Sequence, residues 1–235
     1  MHQYLFFIGN FPIRLYGIFF SLGIISGCIT AYFLLKKDRR GWESHMFDLG
    51  LVIAFAGIVG GRLWDVFFFD WEYYHNHLLE IPYIWQGGMA IQGGIIFACI
   101  AAYFYLKKHQ IPVLPFADTV TPGIILGQAI GRIANFMNGD AFGHPTGQDF
   151  GLLYPDTTLA YHTYGAQPLW PAEVWECQGD LLIFVLLLWY GCKTRAEGTT
   201  FCLYIMFYSL LRFFLENYRG DYGTLALGLK SAQLT

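Results

Sequence analysis

Apolar residues in this chain occur in long continuous stretches that are separated by short polar segments. A helix that crosses a bilayer needs about 20 mainly apolar residues, and six stretches satisfy this requirement. They cover about residues 12–35, 47–69, 84–106, 113–138, 172–191 and 199–217. The pattern predicts an all-α, polytopic integral membrane protein, in which residues 1–235 form a single transmembrane bundle of about six spanning helices.

Composition supports a membrane protein. The chain is 55% hydrophobic and only 13% charged, whereas soluble domains carry about 25% charged residues. The net charge of -3 gives no indication of a charged partner, so nucleic acid is not expected. The sequence contains no cysteine or histidine cluster with zinc spacing, and neither a metal nor a cofactor is expected.

Basic residues are distributed unequally between the connections. Lysines and arginines follow the first, third and fifth stretches: Lys36, Lys37, Arg39, Arg40, Lys107, Lys108, Lys193 and Arg195. The segment 140–171 contains neither residue type. The positive-inside rule then predicts an N-terminus outside the cytoplasm, and an even number of spans places the C-terminus there too.

The segment 140–171 between the fourth and fifth stretches, called the arm below, is rich in Gly, Pro, Tyr and Thr. Loops longer than about 12–15 residues are usually functional or disordered. The arm is predicted to be an extracytoplasmic lid that lies on the membrane surface.

Three arginines, Arg62, Arg132 and Arg212, lie inside apolar stretches. A charge at the bilayer centre costs about 2.5–3.5 kcal/mol on insertion scales. In the predicted orientation all three lie towards the outer leaflet. One such arginine could extend to the lipid headgroups, but three at one depth favour a shared polar cavity.

The fourth stretch places Gln128, Arg132 and Asn135 on one helical face, and Asp140 follows a break at Gly139. A guanidinium fork matches two phosphate oxygens, which favours phosphate recognition by Arg132. The alternative is a structural Arg132–Asp140 ion pair, and both can hold at once.

The sixth stretch carries Tyr208, Arg212 and Glu216 at four-residue spacing, with Arg219 just beyond. Glu216 is a candidate for proton handling, and a self-satisfied pair with Arg212 is the equally weighted alternative.

Two further features have structural explanations. Arg62 and Asp65 are expected to pair, and Glu173 and Glu176 suit the N-terminal dipole of the fifth helix.

The motif at residues 131–143, GRIANFMNGDAFG, closely resembles the signature of the bacterial phosphatidylglycerol–prolipoprotein diacylglyceryl transferase family. Further matches follow in the order of the family. They are Leu15-Tyr16-Gly17, the Gly87-Gly88-Met89 box, and Tyr208 with Arg212, Glu216 and Arg219. The resemblance covers essentially the whole chain.

The resemblance implies an enzyme of the bacterial cytoplasmic (inner) membrane. It would transfer the diacylglyceryl group of phosphatidylglycerol to the lipobox cysteine of a prolipoprotein signal peptide, forming a thioether and releasing glycerol phosphate. The expected catalytic residues are Arg132, Arg212, Tyr16, Glu216 and Gln92. The expected phosphatidylglycerol-binding residues are Arg132, Asn135, Asn138, Asp140, Gly143, Tyr208 and Arg219.

The chain departs from the family pattern at three positions. It has Gln92 where the family usually has histidine, Asp140 for glutamate, and Trp170 for histidine at the entry to the fifth helix. The family also commonly has a seventh spanning helix. Glutamine cannot act as a base at neutral pH. The base is therefore elsewhere (Glu216, Asp140 or a tyrosine), or Gln92 only positions lipid by hydrogen bonds, or the protein is inactive; the second is preferred.

Two other functions compete with this interpretation. A catalytically impaired paralogue would bind phospholipid or a lipoprotein without turnover, and Gln92 is its main support. An anion transporter is disfavoured, because such proteins tend to have internal repeats with paired broken helices and none is visible here.

Overall fold

The computed structural model describes residues 3–8, 11–84, 87–191 and 196–221. Helices dominate this part of the chain, which confirms the predicted fold class. The α-helices are α1 (Leu15–Asp38), α2 (Met46–Phe68), α3 (Trp71–Tyr74), α4 (Ile91–Lys108), α5 (Val113–Asn138), α6 (Leu159–Tyr164), α7 (Ala172–Gly191) and α8 (Thr199–Glu216). Short 3₁₀ helices cover Trp42–His45 and Leu78–Glu80. The predicted basic residues Lys193 and Arg195, and the chain after Asp221, lie outside the described residues.

The first helix begins later than the sequence predicts, at Leu15 instead of about residue 12. The preceding residues form an antiparallel hairpin of β1 (Tyr4–Ile8) and β2 (Phe11–Arg14), in which Phe7 is opposite Pro12. Proline disfavours helical backbone at the residue before it, so the chain stays extended there. The predominantly helical fold is therefore accompanied by one short hairpin at the N-terminus.

The third predicted segment, about 84–106, is also shifted: its helix, α4, spans Ile91–Lys108. Gly87 and Gly88 have φ angles of 97° and 72°, which glycine adopts without the cost that a side chain would incur. These two residues keep the chain out of helix until Ile91.

Within the described residues, four helical segments are long and apolar enough to cross a membrane, namely Leu15–Asp38, Trp42–Phe68, Val113–Asn138 and Thr199–Glu216. The helices α4 and α7 form as well, with 18 and 20 residues. However, α4 contains Gln92 and ends in two lysines, and α7 contains three acidic residues. The chain is a polytopic membrane protein, and a total of six spans stays a prediction.

The chain divides into two compact units, one of Met1–Leu34 with Ala117–Thr235 and one of Leu35–Phe116. In the first unit, glycines let α1 and α5 approach closely. A methyl group added to Gly23 would lie 2.8 Å from the carbonyl oxygen of Gly127. On the other side of α5, Ile125 packs with Ile183 and Leu187 of α7 and with apolar side chains of α8. Small residues and interdigitated side chains are the usual means of helix association in membranes.

In the second unit, α2 and α4 pack through Gly60 and Gly93, and Arg62 holds the loop between them. The Arg62 guanidinium donates to the carbonyl oxygens of Ile81 (2.7 Å), Gly87 (2.7 Å), Gly88 (3.0 Å) and Glu80 (3.2 Å), and to Tyr74 Oη (3.0 Å). The predicted Arg62–Asp65 pair is confirmed at 3.9 Å. These contacts account for the buried charge of Arg62 within its own unit, so Arg62 needs no shared cavity.

The arm is ordered and has a small core of its own. Phe142, Tyr154, Ala160 and Leu169 form a buried cluster, and antiparallel bridges join Leu169 to Pro145 and to Leu152. Most of the arm is irregular, with α6 as its only helix among the described residues, and its location outside the cytoplasm stays a prediction.

Candidate functional site

Three arginines of the first unit contact one carboxylate, that of Glu176 on α7. Glu176 Oε1 lies 2.8 Å from Arg132 Nη2 on α5, and Oε2 lies 3.5 Å from Arg212 Nη1 on α8. Oε2 is also 3.3 Å from Nη1 of Arg219, in the turn after α8. These four residues are called the arginine cluster. Their helices place them together because α5, α7 and α8 share the apolar contacts described above.

Two further carboxylates balance the charge of the arginine cluster. Glu216 Oε2 is 2.8 Å from Arg212 Nη2, the contact expected in one of the two alternatives for Glu216, and 4.0 Å from Arg219 Nε. Asp221 pairs with Arg219. Burial opposes the charge of Arg219, but the hydrogen bond to Asp221 and the charges of Asp221, Glu176 and Glu216 outweigh it and raise the pKa of this guanidinium. Arg219 is therefore permanently charged.

Arg132 and Asp140 are connected through an amide. Arg132 Nη1 donates to Asn135 Oδ1 (3.2 Å), and Asn135 Nδ2 donates to Asp140 Oδ1 (2.9 Å). Asn138 Nδ2 donates to Asp140 Oδ2 (3.0 Å). The predicted alternative of an Arg132–Asp140 ion pair is wrong. Arg132 pairs with Glu176 instead, and Asn135 and Asn138 donate hydrogen bonds to Asp140.

The members of the arginine cluster differ in accessibility. The side chains of Arg132 and Arg212 are 20% and 15% exposed, whereas that of Glu176 is fully buried. Arg219 is only 4% exposed. Arg132 and Arg212 are therefore the partly exposed cations of the cluster that an entering anion can approach, whereas Glu176 contacts both from a fully buried position. Guanidinium pairs held in this way suit the oxygens of a phosphate group.

Tyrosines and the arm complete the surroundings of the arginine cluster. Tyr208 Oη is 3.5 Å from Arg132 Nη2, and Tyr16 at the start of α1 is close enough to interact electrostatically with Arg132 and Asp140. Gly143 forms a backbone bridge with Arg219. A side chain at Gly143 would overlap the backbone of Trp170, so the expected importance of this glycine has a packing explanation.

Trp170, which replaces the usual histidine, packs on three aromatic rings: Phe150, Trp175 and Tyr218. Its backbone N–H donates to the carbonyl oxygen of His144 at 3.0 Å. The residue therefore stabilises the junction between the arm and the turn after α8.

The expected site residues fall in two units. Tyr16, Arg132, Asn135, Asn138, Asp140, Gly143, Tyr208, Arg212, Glu216 and Arg219 all belong to the first unit. Gln92 belongs to the second, where its exposed side chain lies in the first turn of α4. The roles assigned to these residues stay predictions.

The sequence interpretation missed Glu176 and Asp180. Glu176 was explained by the helix dipole, which does not account for its contacts with three arginines. Asp180 lies one turn later, is fully buried, and interacts electrostatically with Glu176, Arg132 and Arg212. A charge count would have indicated both residues, because Glu216 alone cannot neutralise several arginines in apolar helices.

Comparison with known proteins places this cluster in a family. The model of the family "prolipoprotein diacylglyceryl transferase" matches residues 3–235, and so covers the whole arginine cluster. The chain belongs to the prolipoprotein diacylglyceryl transferase family. This is a family of enzymes, and the resemblance noted at residues 131–143 is confirmed.

Relatives of similar length carry the name phosphatidylglycerol–prolipoprotein diacylglyceryl transferase. That of Clostridium botulinum (strain Langeland) is 35% identical over 235 residues, 100% of this chain and 91% of the relative. That of Staphylococcus saprophyticus is 36% identical, covering 97% of this chain and 81% of the relative. That of Geobacillus kaustophilus is also 36% identical, with 97% and 84% covered. The match thus extends along nearly all of this chain and along 81–91% of each of these relatives.

Proposed function

We propose that this chain transfers the diacylglyceryl group of phosphatidylglycerol to the lipobox cysteine of prolipoprotein signal peptides. The proposal is supported by the arginine cluster, in which the side chains of Arg132 and Arg212 are partly exposed. The names of the relatives supply the lipid donor and the protein acceptor. Nothing in the cluster favours the impaired paralogue.

The reaction is a displacement at carbon. The cysteine sulfur attacks the glyceryl carbon that bears the phosphate, and a C–S bond forms as the C–O bond breaks. The electron pair of that bond leaves with the phosphate, as glycerol phosphate, and the S–H proton passes to a base. Negative charge grows on the phosphate as the bond breaks, and fixed guanidinium groups stabilise this charge.

Arg132 and Arg212 bind the phosphate in this proposal. Asn135 fixes the Arg132 side chain by accepting its hydrogen bond at 3.2 Å, and Tyr208 lies beside it. Asn138, Asp140, Gly143 and Arg219 contribute to the lipid site by holding the helix end and the arm in place. Gln92 positions lipid by hydrogen bonds. The candidates for the base that accepts the cysteine proton are Glu216, Asp140 and Tyr16.

The proposed location is the bacterial inner membrane, with the N-terminus and the arm outside and the site towards the outer leaflet. The excess of basic residues at 36–40 and 107–108 supports this orientation. A membrane-impermeant maleimide tests it on cysteines introduced at Asp149 and at Arg40 in a cysteine-free background. Labelling of intact cells is expected at position 149 only, and the opposite pattern would overturn the orientation.

The activity is tested with purified protein in vesicles of phosphatidylglycerol and a synthetic lipobox peptide. The peptide mass is expected to increase by one diacylglyceryl group, and a peptide with serine for cysteine is expected to stay unchanged. Absence of the adduct, under conditions where a known transferase forms it, would overturn the proposal.

A further inference from the structure

Glu176 has a position that phosphate binding alone does not require, because a carboxylate in contact with three arginines weakens their attraction for an anion. We infer that Glu176 limits the affinity of the arginine cluster for the glycerol phosphate product and so permits product release. The inference rests on the proposed function, since it concerns the leaving group of that reaction.

The substrate and the product differ in charge at the phosphate. The phosphodiester of phosphatidylglycerol carries one negative charge, whereas a phosphate monoester carries about −1.5 to −2 at neutral pH. Without the charge of Glu176 the arginine cluster would be more positive and would favour the product over the substrate more strongly. Such an enzyme would be inhibited by its own product after one turnover.

Glu176 can oppose a bound anion without moving from its observed position. Its carboxylate is fully buried and contacts Arg132 at 2.8 Å and Arg212 at 3.5 Å. The side chains of these two arginines are 20% and 15% exposed, so a phosphate group can approach them while Glu176 stays in contact. Because the pair is buried, salt screens the charge of Glu176 only weakly, and this charge acts on any anion bound to the same guanidinium groups.

No other carboxylate among the described ion pairs contacts all three arginines. Glu216 pairs with Arg212 and Arg219, and Asp221 pairs with Arg219. Glu176 alone in this set contacts Arg132, Arg212 and Arg219. It is therefore the residue whose charge most directly opposes a second negative charge on a bound phosphate.

The test is Glu176→Gln, which keeps the shape of the side chain and removes its charge. Two quantities are measured, the KM for phosphatidylglycerol and the inhibition constant, Ki, of glycerol phosphate. We expect the ratio of Ki to KM to fall about tenfold, since a unit of charge a few ångströms away acts more strongly on the product. The kcat should fall as well, because release becomes slower.

A merely structural role gives a different result. If Glu176 only orients the arginines, its loss weakens substrate and product alike, so Ki and KM both rise and their ratio stays constant. A constant or higher ratio overturns the inference. Glu173→Gln is the matched control, since Glu173 lies one turn earlier and hydrogen-bonds to Tyr154; its ratio is expected to stay within about twofold of wild type.

A second measurement uses the unaltered protein. Glycerol phosphate and its methyl diester, which carries one charge fewer, are compared as inhibitors. The inference predicts less than about tenfold preference for the more highly charged compound, whereas a cluster on which Glu176 exerted no opposing charge would give about a hundredfold or more. A preference of that size would overturn the inference. An inactive wild type instead contradicts the proposed function, so the two failures are distinguishable.

Discussion

Glu176 on α7 and Arg132 on α5 form an ion pair of 2.8 Å in which the carboxylate is fully buried. The pair explains how the chain keeps an arginine in a segment long and apolar enough to span a membrane. Breaking a buried pair by removing one partner typically costs about 3–5 kcal/mol, because the other charge is left uncompensated. Variants at this site must therefore be tested for folding as well as for activity.

Replacement of Arg132 tests its role at the leaving phosphate. Arg132→Ala is expected to lower kcat/KM by at least about a hundredfold, as loss of a transition-state donor typically does. Arg132→Lys keeps the charge but loses the planar fork, so an intermediate rate is expected. Arg40→Ala is the control, because Arg40 forms an exposed pair with Asp38. Wild-type activity in Arg132→Ala would show that the leaving group is stabilised elsewhere.

Arg62 is expected to stabilise the loop between α2 and α4, independently of the chemistry in the first unit. Arg62→Gln removes most of the donors that bind the carbonyl oxygens of Ile81, Gly87 and Gly88. We expect a loss of about 3 kcal/mol in unfolding free energy and faster proteolysis within residues 75–90. Unchanged protease resistance would mean that the loop is held by other contacts.

The glycine contact between α2 and α4 gives a prediction with an internal control. A methyl group on Gly93 would overlap the carbonyl oxygen of Gly60, whereas one on Gly57 would lie 3.7 Å from its nearest neighbour. Gly93→Ala is therefore expected to cost about 1–3 kcal/mol, and Gly57→Ala to be tolerated. Unfolding in mixed micelles of increasing SDS content measures both; equal stability of the two variants would contradict this packing.

The stability of the arm is expected to fall at alkaline pH. Burial, with the charge and hydrogen bond of Glu173, raises the pKa of the Tyr154 hydroxyl above its ordinary value of 10.0. The folded arm then keeps a proton that the unfolded chain releases, so stability is full below about pH 10 and declines as the pH rises above it. Tyr154→Phe should lose this decline and cost about 1–3 kcal/mol at neutral pH. Urea unfolding followed by tryptophan fluorescence measures both effects; a decline that persists in Tyr154→Phe would assign it to another group.

The sequence predicted much of the fold because a helix that crosses a bilayer must be apolar along most of its length, so a long apolar stretch indicates a helix. Segments at 113–138 and 172–191 agree with α5 and α7 to the residue. The errors occur where backbone conformation overrides hydrophobicity. Pro12 keeps the chain extended before α1, and the left-handed Gly87 and Gly88 delay α4.

The candidate site was predictable only where its partners lie on one helix. Spacing along α8 was enough to pair Arg212 with Glu216, whereas the contact of Arg132 with Glu176 depends on how α5 packs on α7. Periodicity places Glu176 on a face of α7 but does not say which helix that face contacts. For the same reason the sequence did not predict the surroundings of Asp180, because its charged neighbours lie on three helices.

In the proposed reaction, one diacylglyceryl group moves from phosphatidylglycerol to a cysteine while glycerol phosphate leaves. The most direct measurement follows both products together, with phosphatidylglycerol that carries a label in its headgroup glycerol phosphate. We expect one labelled glycerol phosphate to be released for each thioether formed on the lipobox peptide, and neither product to form with Arg132→Ala. Release of glycerol phosphate without thioether, or thioether formation that persists without Arg132, would contradict it.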